Sequence, residues 1–72
     1  MTELEKQGTA LREMRKRSNL TLEETVKHFG RSKVWLSEIE TGKKNIYFGD
    51  VKKLCRIYGC SVDDLVHLID SY

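Results

Sequence analysis

The sequence predicts an all-α protein, a compact five-helix domain over residues 1–72. Two observations carry that reading. Helix-start signals recur along the chain as Thr or Ser followed three residues later by Glu or Asp, at Thr2 and Glu5, Thr21 and Glu24, and Ser61 and Asp64. In such a capping box each partner satisfies a backbone N–H that the first turn leaves free. Between the starts, apolar residues return at spacings of three and four, and the stretches close on Gly or Asn, which adopt the left-handed conformation at helix ends. No segment needs a strand.

The first helix runs from a Thr2 cap to about Arg17, with Leu4, Leu11 and Met14 on its apolar stripe. Gly8 weakens its early turns, so the residues before Thr9 are expected to be less firmly ordered than Thr9 to Arg17. Asn19 suits a left-handed exit, and Leu20 packs inward. A second helix opens at Thr21, places Leu22, Val26 and Phe29 on one face, and stops before Gly30. A turn of about three residues leads to Ser32, the cap of a third helix. Leu36 and Ile39 form its apolar edge, Lys33, Val34, Ser37 and Glu38 occupy another face, and Gly42 ends it. After the basic loop KKNIY, the residues Phe48, Val51, Leu54, Cys55 and Tyr58 make the apolar face of a fourth helix that Gly59 ends. Lys52, Lys53 and Arg56 fall on its other side. Ser61 caps a fifth helix carrying Val62, Leu65, Val66 and Ile69.

Seventy-two residues give one small core and no room for an active-site cleft. The chain is 39% hydrophobic and 33% charged, and no apolar run approaches the roughly 18 residues of a membrane span. No signal peptide is visible, so the expectation is a cytoplasmic protein without a membrane partner. A net charge of +2 is too small to attract nucleic acid by itself, so placement of the charges must decide. They cluster: Arg12, Arg15, Lys16 and Arg17 lie in the first helix, and Arg31, Lys33, Lys43, Lys44, Lys52 and Lys53 surround the second and third. Cys55 and Cys60 stand in apolar registers and read as reduced core residues. They lack the short paired ligand spacing of structural zinc, so neither a metal nor another cofactor is expected. His28 and His67 have no nucleophile and orienting acid to work with, which excludes an enzyme of that type.

Thr21 to Gly42 is therefore cap, helix, glycine turn, cap and helix, the arrangement of a helix-turn-helix whose second helix enters a DNA major groove. Within it, Gly30 to Gly42, with Ser32, Leu36, Ile39, Glu40 and Gly42 in place, resembles the recognition half of the phage-repressor and Cro-like family, also called the xenobiotic-response-element family. Upstream LREMRKRSNLT and downstream FGDVKKLCRIYGCSVDDL extend the resemblance over roughly Gly8 to Leu65. It implies a lambda-repressor-like fold.

The resemblance also implies roles. Lys33, Val34 and Glu38, with Ser37 beside them, fall at base-facing positions: Lys33 can donate to guanine, Val34 can meet a thymine methyl, and Glu38 can only accept from a cytosine amine. Glu38 reads equally well as part of a solvated face. Phosphate contacts fall to the start of the second helix at Thr21 and Leu22, to Arg31, Ser32, Thr41, Lys43, Lys44 and Asn45, and to Trp35, which either stacks on the backbone or packs at the core's edge. Arg15 and Glu40 correspond to a structural ion pair, the alternative being two independent surface charges.

These expectations describe a transcriptional regulator, acting as a repressor on a palindromic double-stranded DNA operator, with no small-molecule effector in evidence. Leu65, Val66, Leu68 and Ile69 offer more apolar surface than one inward stripe needs, which predicts a homodimer through the last helix. The rival reading is a protein-interaction module on the same fold, such as an antitoxin or antirepressor, with Trp35 and Glu38 engaging protein.

Overall fold

The computed structural model describes residues 1–72 and contains five helices and no strand: α1 (Glu3–Arg17), α2 (Leu22–Lys27), α3 (Lys33–Glu40), α4 (Phe48–Tyr58) and α5 (Val62–Asp70). Reciprocal capping boxes open α1, α2 and α5 at Thr2, Thr21 and Ser61. The backbone N–H of each cap donates to the carboxylate three residues on, which holds Glu5, Glu24 and Asp64 below the usual carboxylate range. Ser32 caps α3 by accepting from the Trp35 N–H at 3.1 Å.

The exits of α1, α3 and α4 repeat one device. Asn19, Gly42 and Gly59 have positive φ, and the N–H of the next residue in each case reaches back into the last turn, as Leu20 to the Arg15 carbonyl, Lys43 to that of Glu38 and Cys60 to that of Cys55. These are Schellman caps, which satisfy carbonyls the helix leaves free. Gly42 is doubly constrained. Its φ is +80°, and a side chain there would also stand 2.7 Å from Cγ of Glu5.

α1 is the spine of the molecule, lying against α3, α4 and α5, while α2 rests on α3. The core consists of Ala10, Leu11 and Met14 of α1, Leu36 and Ile39 of α3, Leu54, Cys55 and Tyr58 of α4, and Leu65 of α5. Leu20, Leu22, Val26, Phe29, Trp35 and Ile46 are half-buried around it.

Three expectations change. Gly8 is not a weak point: α1 is continuous through it, and Gly8 is buried where a methyl group would stand 2.6 Å from the carbonyl oxygen of Glu40. Its missing side chain lets α1 and the end of α3 touch. α2 is shorter than its pattern, ending at Lys27, and Phe29 follows in a turn in which its N–H donates to the Val26 carbonyl at 2.9 Å. The connection to α3 is correspondingly longer. The innermost residue of α2 is Thr25, fully buried, whose hydroxyl donates to the Thr21 carbonyl at 2.9 Å. Packing the hydroxyl against its own helix removes its need for an outside partner. Phe48 is not on the core face; at the first position of α4 it is 64% exposed.

The apolar surface expected on α5 also divides. Leu65 is 3% exposed and belongs to the core, so it is not available to a second copy. Val66 and Ile69 border an apolar groove with Phe48, Val51 and Val62, whereas Leu68 lies in a different cleft beside Met14 and Tyr58. Successive residues of a helix turn away from one another, and these lie to either side of Leu65.

Candidate nucleic-acid interface

The position of α3 is set by its inner side. Leu36 and Ile39 are sunk in the core, and Glu40 in its last turn meets Arg15 of α1. Arg15 Nε donates to one carboxylate oxygen at 2.8 Å and Nη2 to the other at 3.1 Å, while Nη1 donates to the Leu20 carbonyl at 2.7 Å. The guanidinium thus joins the middle of the fold to the segment that launches α2. Both residues are 8% exposed, and the Glu40 carboxylate raises the pKa of Arg15 further. This geometry fits a structural pair and not two independent surface charges.

With its inner side held, α3 turns Lys33 and Val34 outward, Val34 being 65% exposed, and leaves Ser37 and Glu38 half-buried on the same helix. The basic loop follows directly, with Lys43, Lys44 and Asn45 all exposed and Thr41 exposed at the end of α3. Thr41 donates its hydroxyl to the Ser37 carbonyl at 3.0 Å. At the start of α2 the Leu22 side chain packs on the core, so only its backbone N–H could meet a phosphate. Thr21 Oγ1 is occupied in accepting from Glu24.

Trp35 is half-buried at the core's edge, its ring packed against Phe29 with centroids 5.3 Å apart. The Arg31 guanidinium stands over the same indole, 4.9 Å from the ring centroid and within cation–π range. Arg31 also reaches Asp50 at 3.4 Å. Arg31, Trp35, Lys44, Asn45, Ile46, Tyr47 and Asp50 line a cleft of about 520 Å³ beside α3.

The electrostatics of this face were not visible in the pattern of the chain. Lys33 pairs with Glu23 at 3.3 Å and Lys44 with Glu38 at 3.8 Å, so two of its lysines carry acidic partners, while Lys43 has none. Such exposed pairs contribute about 0–1 kcal/mol and exchange readily for another anion. Two further residues belong to the face: Glu23, which lies between the starts of α2 and α3, and Tyr47, 82% exposed beside the basic loop. An aromatic in a basic loop was the available signal for Tyr47; nothing in the linear spacing marked Glu23. No group of three or more His, Cys, Asp or Glu side chains is placed to hold a metal ion.

Residues 8–68 match the family model described as a helix-turn-helix domain. The chain belongs to the helix-turn-helix family. Two crystal structures of the clp gene regulator ClgR from Corynebacterium glutamicum resemble this helix-turn-helix domain over 99% of its length. One has a TM-score of 0.92 at 30% identity with 91% of its own chain covered. The other has 0.93 at 30% identity with 76% covered. No curated protein matches. The five-helix, all-helical fold implied by the motif is the fold found, and no helix of this helix-turn-helix domain is long and apolar enough to cross a membrane.

Proposed function

We propose that this chain is a sequence-specific, double-stranded DNA-binding transcriptional regulator that inserts α3 into a major groove and represses by occupying its operator. The observation that carries this reading is the fixed presentation of α3. Arg15, Glu40 and Gly8 lock its inner side to α1, and its outer side offers Lys33, Val34, Ser37 and Glu38 directly ahead of an exposed Lys43–Lys44–Asn45 loop. Lys33 and Val34 are the base readers best placed to act, one donating to guanine and one touching a thymine methyl. Ser37 and Glu38 are the secondary ones. Arg31, Ser32, Thr41, Lys43, Lys44 and Asn45, the N–H groups around Thr21 and Leu22, and the edge of Trp35 are the phosphate-contacting set.

One module of this size makes few base contacts, so two copies on a palindrome, about 34 to 36 Å between half-site centres, are the form in which specificity is gained. Selecting bound duplexes from a random pool tests the whole reading, since an enriched motif reports the sequence, its symmetry and its spacing together. A protein partner is the second reading, favoured by Glu23 and Glu38, which place carboxylates on the face that would meet phosphate. Absence of any enriched duplex would decide for it.

A further inference from the structure

We propose that Cys55 and Cys60 form a dithiol site that a hydroperoxide closes into an intrachain disulfide. This inference is independent of what α3 binds. Both cysteines are free, and they occupy the two ends of the Schellman cap of α4. The Cys60 N–H donates to the Cys55 carbonyl at 3.0 Å, and the Gly59 N–H to that of Arg56 at 3.4 Å. In this motif those two end positions bring their side chains together, ordinarily as an apolar contact. Here both positions are cysteines. A backbone bond this short between them lets their Cα atoms lie within the roughly 4.4–6.8 Å that a disulfide spans.

The two sulfurs are unequal in a way that orders the chemistry. Cys55 is 3% exposed and faces the core, whereas Cys60 is half-buried on a cleft of about 540 Å³ that also exposes Arg17, Ser18, Asp64 and His67. Burial, helped by the neighbouring Cys60, pushes the Cys55 thiol up to about 12, so it keeps its proton and is a poor first nucleophile. A hydroperoxide entering the cleft therefore meets Cys60. The Cys60 thiolate attacks the terminal peroxide oxygen, the O–O bond breaks, and the departing alkoxide takes up a proton and leaves as the alcohol, or as water when the oxidant is hydrogen peroxide. Cys60 is now a sulfenic acid. The Cys55 sulfur then displaces hydroxide from the Cys60 sulfur, the S–S bond forms, and the Cys55 proton joins the hydroxide as water. Two thiols are oxidised and one peroxide is reduced.

The test is peroxide treatment of the whole chain followed by alkylation and tryptic mapping. Trypsin cuts after Lys53 and Arg56, so Cys55 and Cys60 end on separate peptides, Leu54–Arg56 and Ile57–Tyr72. The expected result is a monomer lighter by two hydrogen atoms whose two peptides remain joined, formed at a rate independent of protein concentration and faster in the native protein than in urea. Cys60→Ser should abolish the linked pair and leave Cys55 alkylatable. Over-oxidation of Cys60 beside a free Cys55, a dimer linked through Cys60 of two copies, or closure no faster in native protein than in urea would each overturn the proposal.

Discussion

Gly8 of α1 and the carbonyl oxygen of Glu40 are so close that a methyl group on Gly8 would stand 2.6 Å from that oxygen. Inside an isolated helix, alanine is favoured over glycine by about 1 kcal/mol. Here the obstruction is backbone, which cannot rotate away, and overpacking of this kind costs about 1–3 kcal/mol. Gly8→Ala is therefore expected to lower stability despite its better helix propensity. Urea unfolding measures it; a more stable variant would show that α3 can back away freely.

The Arg15–Glu40 pair is the second fastener between the same helices. Because both side chains are almost fully enclosed, removing one partner strands the other's charge. Glu40→Ala should cost about 3–5 kcal/mol, whereas replacing both residues with apolar ones of similar volume should recover much of it. Glu40→Gln keeps the shape and should fall between. A double-mutant cycle on thermal stability checks this, and a Glu40→Gln variant that melts normally yet loses DNA would make Glu40 a contact residue instead.

The parts of this fold that were legible in the sequence are those governed by residues close together in the chain. Thr2 with Glu5, Ser61 with Asp64, and the left-handed exits at Asn19, Gly42 and Gly59 are local devices, and each stands where its pattern put it. What escaped depends on partners distant in sequence. Gly8 reads as a helix weakener until α3 is laid across it. Phe48 fits an apolar period whose first position happens to precede the contact with the core. On the candidate interface, Arg15 and Glu40 were paired only through family resemblance, and no periodicity joins Lys33 to Glu23.

The Tyr58 ring is in the core, but its hydroxyl is buried with no hydrogen-bond partner. Burial drives its pKa well above the ordinary tyrosine range, and the nearby Thr25 hydroxyl offsets this only in part. A buried hydroxyl without a partner costs about 1–3 kcal/mol. Tyr58→Phe should consequently leave stability unchanged or raise it, by up to about 1 kcal/mol after allowance for relaxation. A clear drop in the melting temperature would mean that the hydroxyl is satisfied in solution.

On the DNA reading, Glu23 and Glu38 compete with phosphate for Lys33 and Lys44. Glu23→Gln should then tighten binding to specific and scrambled duplexes alike, by about 0.2–1 kcal/mol at low salt. Lys43→Ala should do the opposite, weakening both and reducing the log–log salt slope by about 0.9 for each phosphate it no longer neutralises. Lys33→Ala should instead relax preference at one or two base pairs, by about 1–3 kcal/mol. Titrations over a salt series separate the three; selectivity that disappears in Lys43→Ala and survives in Lys33→Ala would reverse these roles.

Self-association should follow the divided surface of α5. Val66 is 45% exposed at a groove formed with Ile46, Phe48, Val51 and Ile69, and Phe48 in the same lining is also exposed. A second copy related by a twofold axis would bring this same groove to itself, the geometry in which a palindrome is read by two identical modules. A patch this small makes a weak dimer in free solution, tightened when DNA holds both copies. Val66→Glu and Phe48→Glu alter exposed positions, so the monomer should fold normally while affinity for a full palindrome falls far more than affinity for a half-site. Leu68→Glu should differ, because Leu68 is half-buried against the other cleft and a carboxylate there weakens the fold itself. Sedimentation, melting and half-site titration of the three variants make the comparison. Equal losses on both duplexes for Val66→Glu, with unchanged sedimentation, would show that the groove is not where two copies meet.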